Sequence, residues 1–262
     1  MKSFVTICLL ATCASAPAFA QSYGDGVESI SILKGWRDAD GTHIAAIDIQ
    51  LEKHWKTYWR VASQGGIPPH LDWSMSSNIA GLEFVWPAPS IFEDYGIRTV
   101  GYANRVILPM RLKPKNPAQQ ITFQGRLDLG VCKDICIPVQ HELNASLSRL
   151  LSFDRDLIED AMTQVADQDA SAFRISCEFT KTDDGFDISA RVETEETLSR
   201  PALLFVEYDG GEWIAQGKTK RRKGALTNTA SVFATDLNSI DPADVTLTVV
   251  ERDRVREITG CS

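Results

Sequence analysis

An all-β protein of two sandwiches is the fold class this sequence predicts, and three observations predict it. Apolar and polar residues alternate at a period of two in short runs along both halves of the chain. Turn-forming residues punctuate these runs at a spacing that suits a β-sandwich. A single stretch, Ser152 to Ala172, keeps helical spacing instead, and it lies between the two β sets. With 262 residues, each set is large enough to bury its own core.

Residues 1–20 are a different kind of sequence. Lys2 precedes an apolar run from Phe4 to Ala11, and Ala18-Phe19-Ala20 offers a small-x-small cleavage site before Gln21. This is the pattern of a cleaved secretory signal, too short to span a bilayer comfortably. Leu10-Ala11-Thr12-Cys13 offers a rival, a lipoprotein-like box with Cys13 lipidated. Thr12 suits that box poorly, and lipidation there would truncate the apolar core. No second apolar stretch approaches membrane-spanning length. The expectation is a soluble, exported protein in a disulfide-permissive compartment.

The first β set spans residues 21–150. Val27 to Leu33 alternates, and Ile44 to Leu51 does so again, with Ile47, Ile49 and Leu51 on one face. Asp38-Ala39-Asp40-Gly41 between them is a turn whose glycine can take positive φ. Further strands are predicted over Leu82 to Trp86, Arg105 to Leu112, Ile121 to Leu129 and Ile137 to Leu147. In the segment 151–172, Leu157, Ile158, Ala161, Met162, Val165 and Ala166 recur at helical spacing, with Asp154 as N-cap. It reads as a linker helix packed between domains. Alternation resumes over residues 173–262: Phe173 to Phe179, Phe186 to Val192, Ala202 to Tyr208, Ala230 to Ala234, Val245 to Val250 and Val255 to Ile258. These make a second small sandwich.

A formal net charge of −8 argues against a general nucleic-acid binder. The basic run Lys218 to Lys223 reads as a solvated hairpin turn, or as a contact for anionic lipid. No phosphate loop, serine-nucleophile motif or carboxylate pair stands out, and no cofactor is expected. What remains is sulfur. Loss of the signal removes Cys8 and Cys13, leaving Cys132, Cys136, Cys177 and Cys261, and an even number in an exported chain favours bridges.

Cys177 and Cys261 bracket the second β set. A bridge between them closes a long loop and stabilises by about 4 kcal/mol in the chain-entropy model, which makes a structural staple; a second redox pair is the alternative. Cys132 and Cys136 enclose only three residues, so their ring adds less stability. Lys133 favours a thiolate at Cys132, and Pro138 marks the following strand as an edge, where a partner's backbone can pair while the sulfurs react. A turn-pinning disulfide is the bland alternative. A Cu(I) site with Met110 or His141 is the metal alternative. The histidines show no ligand spacing for zinc, and no resident metal is expected.

The series Trp55-Lys56-Thr57-Tyr58-Trp59-Arg60, Gly65-Gly66-Ile67-Pro68-Pro69, Trp86-Pro87-Ala88-Pro89 and Val131-Cys132 to Cys136-Ile137-Pro138-Val139 resembles the periplasmic N-terminal region of the DsbD family. It is most similar to the ScsB branch, named for suppression of copper sensitivity. The resemblance covers most of the first domain and continues more weakly through the second. It implies two immunoglobulin-like β-sandwich domains joined by a short helical linker, in the periplasm.

It also implies a redox pair at Cys132 and Cys136. Ser90 to Gly96 corresponds to the family's cap, with Phe92 and Tyr95 as shielding rings. The implied partners are periplasmic thioredoxin-like proteins and a separate membrane electron donor of the DsbD/CcdA type, because this sequence carries neither a membrane conduit nor a thioredoxin-like Cys-x-x-Cys. Two further departures are the closer cysteine spacing and Asp94-Tyr95 in place of the cap's aromatic doublet. The expected function is thiol-disulfide interchange through Cys132 and Cys136. A copper-tolerance protein using the same thiolates, or a structural adaptor, are the other readings.

Overall fold

The computed structural model describes residues 25–61, 66–94, 96–209, 213–233 and 241–261. Residues 1–24, where the secretory signal is expected and where Cys8 and Cys13 fall, lie outside them. The fold is all-β, built as two immunoglobulin-like sandwiches. β1 (Val27–Arg37) and β2 (His43–Leu51) form the hairpin expected around Asp38 to Gly41, and Gly41 takes φ 88°. Then come β3 (Lys56–Tyr58), β4 (His70–Asp72), β5 (Ile79–Phe84), β6 (Ser90–Asp94) and β7 (Ile97–Ala103). β8 (Arg105–Pro114), β9 (Ile121–Cys132) and β10 (Cys136–Leu147) complete the domain.

One sheet has the order β1-β2-β8-β5. The other runs β10-β9-β3-β7-β6, with β4 also on β9. Ile47, Leu108, Leu112, Phe123 and Leu127 fill the space between them. Three-residue strands such as β3 and β4 are too short to show a period, so alternation alone does not find them.

β2 is buried on both faces. Ala45, Ile47 and Ile49 point to the sandwich core, while Ile44 and Ala46 meet Leu33, Trp36 and Ile158 outside it. Ile158 belongs to α1 (Arg155–Thr163), and here the structure corrects the sequence. Only nine residues of the segment 151–172 are helical. They cover the outer sheet of the first domain instead of filling the space between domains. The helix stops because the chain beyond Thr163 takes an extended path. Val165 bridges to Pro87 of the first domain and Asp167 to Arg256 of the second. Asp154 occupies the N-cap position at φ 53°, but its side chain makes no cap bond. Its carboxylate accepts from the Lys34 amide at 3.3 Å.

The second domain comprises β11 (Phe173–Lys181), β12 (Gly185–Thr194), β13 (Ala202–Tyr208), β14 (Trp213–Gln216), β15 (Lys220–Arg222), β16 (Ala225–Phe233), β17 (Val245–Glu251) and β18 (Val255–Thr259). Its sheets run β11-β12-β16-β14, with β15 on β16, and β13-β17-β18. The free edge of β13 is closed by side chains. Thr219 exchanges hydrogen bonds with both backbone groups of Leu204, and Gln216 does the same for Val206. Phe205, Val250 and Val255 of this domain pack into the apolar cluster of the first.

Candidate functional site

β9 and β10 pair in register from Ile121–Leu147 to Cys132–Cys136, so the two cysteines face each other at the tip of a long hairpin. They are bonded, with Cα atoms 4.1 Å apart. Lys133, Asp134 and Ile135 form the turn between them, closed by a Lys133 N–H to Ile135 carbonyl bond of 3.1 Å. Cys136 and Ile135 are exposed and Cys132 is half-buried. β10 pairs with β9 alone, which makes it an edge strand. Cys136 is therefore open to solvent, and Cys132 partly so.

Beside them runs β3. Lys56 lies opposite Cys132, and alternation puts Tyr58 on the same face. The Tyr58 hydroxyl is 3.1 Å from Cys136 Sγ and 3.3 Å from Cys132 Sγ. A disulfide carries no proton, so the hydroxyl is the donor, shared between two sulfurs. Burial of the ring pushes the Tyr58 pKa up, which keeps that proton in place.

The ring lies in a slot made by two glycines. A Cβ on Gly66 would meet the Tyr58 ring at 2.5 Å, and one on Gly130 would meet Ile67 and Tyr58 at 3.0 and 3.1 Å. Gly130 is held on both sides, its amide donating to the Ile67 carbonyl at 3.0 Å and its own carbonyl accepting from Thr57 Oγ1 at 2.9 Å. In the sequence, Tyr58 and Gly66 carry no signal beyond their places in the two motifs Trp55 to Arg60 and Gly65 to Pro69. Their meeting over β9 is a tertiary fact with no local signal.

The expected cap loop is a hairpin, β6 paired with β7, turning through Gly96 at φ 79°. Phe92 is half-buried on β6, and the Lys56 ammonium sits 5.1 Å from its ring centroid. The cap strand thus reaches the disulfide's neighbour on β3. Tyr95 lies outside the described residues.

The remaining sequence candidates lie elsewhere. Cys177 and Cys261 are bonded to each other in the second domain, with Cα atoms 5.8 Å apart. Met110 is fully buried between the sheets of the first domain. His141 lies opposite Leu127, on the face of β10 away from Cys136. Neither stands beside the Cys132–Cys136 pair. Among the described residues, no three His, Cys, Asp or Glu side chains converge as a metal cluster. An accessible disulfide with one hydrogen-bond donor aimed at both sulfurs can accept a thiolate's attack at either sulfur while the donor stabilises the other as it leaves.

Residues 31–148 match the family model described as Thiol:disulfide interchange protein DsbD, N-terminal. Among solved structures, the crystal structure of the N-terminal periplasmic domain of ScsB from Proteus mirabilis is similar, with a TM-score of 0.59 at 21% identity. The match covers 86% of this chain and 89% of that one. No curated protein matches the chain.

Proposed function

We propose, on the premise that residues 31–148 belong to the DsbD N-terminal family, that this thiol-disulfide interchange domain relays electrons through Cys132 and Cys136. Donor and acceptor are thioredoxin-like dithiol proteins of the periplasm, supplied in turn by a separate membrane reductant. A donor thiolate attacks one sulfur. The Cys132–Cys136 bond breaks, its electron pair leaves on the other cysteine as a thiolate, and a mixed disulfide forms. The donor's second thiolate then attacks its own bonded sulfur. The donor departs as a disulfide, and the pair is left with two electrons and, at neutral pH, up to two protons. Transfer to an oxidised acceptor runs the same steps backwards.

The observation that carries this reading is the Tyr58 hydroxyl bonded to both sulfurs of an exposed pair. A staple has no use for a donor that stabilises its broken form. Phe92, through its contact with Lys56, shields the Cys132 side of the pair and leaves Cys136 open to a partner, and Tyr95 is the second shield that the resemblance implies.

The test is the reduction potential of Cys132–Cys136, measured against glutathione. A value above about −300 mV is expected, and a lower one places the pair with inert structural disulfides and ends the proposal. Cys136→Ala or Cys132→Ala should also accumulate mixed disulfides with thioredoxin-like proteins in cells.

A further inference from the structure

β3 is three residues long, and it carries the donor at its last position. Tyr58 pairs with Gly101 of β7, but on the β9 side the ladder ends at Thr57. The next two side chains belong to the second domain's surroundings. Trp59 is fully buried, with Phe205 packed edge-on against it at 5.7 Å. Arg60 donates through Nε and Nη2 to both carboxylate oxygens of Glu207, at 2.7 and 2.9 Å, and also to Glu257.

Thr248 donates to Glu207 from behind, and the Arg60 guanidinium lies 4.5 Å from the Trp59 ring centroid. Burial alone would lower the Arg60 pKa, but the hydrogen bonds and charges of Glu207 and Glu257 outweigh it and raise it. The guanidinium is therefore a permanent anchor. Its planar fork fixes direction as well as distance.

We infer that the second domain sets the redox chemistry of the first by clamping β3, with Arg60 as the positioning residue that holds the Tyr58 hydroxyl on the sulfurs. Arg60 follows Tyr58 by two residues, at a bend just past the end of β3, and its guanidinium lies over Trp59, so the two side chains together tie the segment leaving Tyr58 to the second domain. These anchors hold the strand end where pairing with β9 has ended, while pairing with β7 continues through the Trp59 amide to the Val100 carbonyl at 3.1 Å. A hydroxyl shared between two sulfurs at 3.1 and 3.3 Å keeps both bonds only while the strand end that carries it stays in place. This inference rests on the exchange reading of the Cys132–Cys136 pair and gives the second domain a part in it.

The experiment is the pH profile of alkylation of the reduced pair in the full chain. A phosphine reduces the protein, and mass spectrometry reads the peptide carrying Cys132 and Cys136. Tyr58→Phe should raise the profile's midpoint by about one unit, a tenfold loss of thiolate, as expected for one charged hydrogen bond. Arg60→Met should raise it by at least about half a unit, a threefold loss of thiolate, Arg60→Lys should restore part of the loss, and Arg60→Met should add nothing in a Tyr58→Phe background.

Glu207→Ala acts from the second domain, leaves Arg60 its partner Glu257, and should shift the profile the same way. It decides the matter if Arg60→Met does not fold. Folded variants with an unmoved midpoint overturn the inference, as does a shift that adds in full to that of Tyr58→Phe. A pair that glutathione cannot reduce overturns the exchange reading instead, and the phosphine-reduced profile still decides the role of Arg60.

Discussion

The phenol of Tyr58 and the imidazole of His43 are buried polar groups handled in different ways. Tyr58 keeps its ring in a glycine slot and exposes only its oxygen to the sulfurs, so burial protects a donor in use. His43 is fully buried with Nε2 2.7 Å from the Lys34 carbonyl, while Nδ1 has no partner. The carbonyl requires the proton on Nε2, so a second proton would have to enter an unpartnered site. Burial, aided by the charge of Arg37, holds the His43 pKa below its ordinary value despite the Lys34 bond.

A depressed histidine means that, as pH falls through about 6.5, the unfolded chain takes up a proton the folded one refuses. Stability from this residue is present above that pH and is lost progressively below it, down to the depressed folded value. Melting temperatures between pH 7.5 and 5.5 should therefore fall in the parent and fall less in His43→Gln, which keeps a donor for Lys34. Equal slopes would show that His43 does not govern this window. The depressed carboxylates of Asp40, Asp72, Asp167 and Asp169 act lower, below about pH 4, and do not interfere.

Two hairpins share the work at the next scale. β9–β10 stays in register for its whole length, and that long ladder is why its tip can carry a disulfide in a defined place. β6–β7 is the shorter ladder, paired from Ser90–Gly101 to Asp94–Ile97. Its cross-strand pair Glu93–Arg98 is exposed and contributes little. β7 pairs with β3, and from β6 the Phe92 ring meets Lys56, the residue opposite Cys132. A cation over an exposed ring contributes about 0.5–1 kcal/mol, small enough for a partner to displace. Replacing Phe92 and Tyr95 together by Ala should raise the alkylation rate of the reduced pair about two- to fivefold, the kinetic equivalent of that energy. An unchanged rate would remove the hairpin from any shielding role.

Across the whole molecule, the two disulfides divide into different kinds by where they lie. Cys177 and Cys261 are 84 residues apart, whereas Cys132 and Cys136 are four apart. In the chain-entropy model the long loop stabilises by between about 4 and 5 kcal/mol and the short one by about 2. Cys177→Ser with Cys261→Ser should lower the melting temperature about twice as far as Cys132→Ser with Cys136→Ser, read by circular dichroism on each double variant. Equal losses would contradict the division. The domains meet through apolar packing, the Arg60 carboxylate pair and the linker rungs at Val165 and Asp167.

The sequence by itself determined the all-β class, both β sets and the hairpin around Gly41, because alternation and turn residues are local signals. It also singled out Cys132 and Cys136, since a close cysteine pair is a chemical signal that needs no fold. Only the tertiary structure decided the rest. α1 is short and lies on the first domain because apolar spacing gives a helix its face but not its neighbour. β3 carries no readable period in three residues, and what makes it matter is that Cys132 lies beside it and Glu207 beyond it. Tyr58 and Gly130 are 72 positions apart, and Arg60 and Glu207 are 147 apart. No pattern along a chain encodes contacts at such separations; they exist only once both sandwiches have closed.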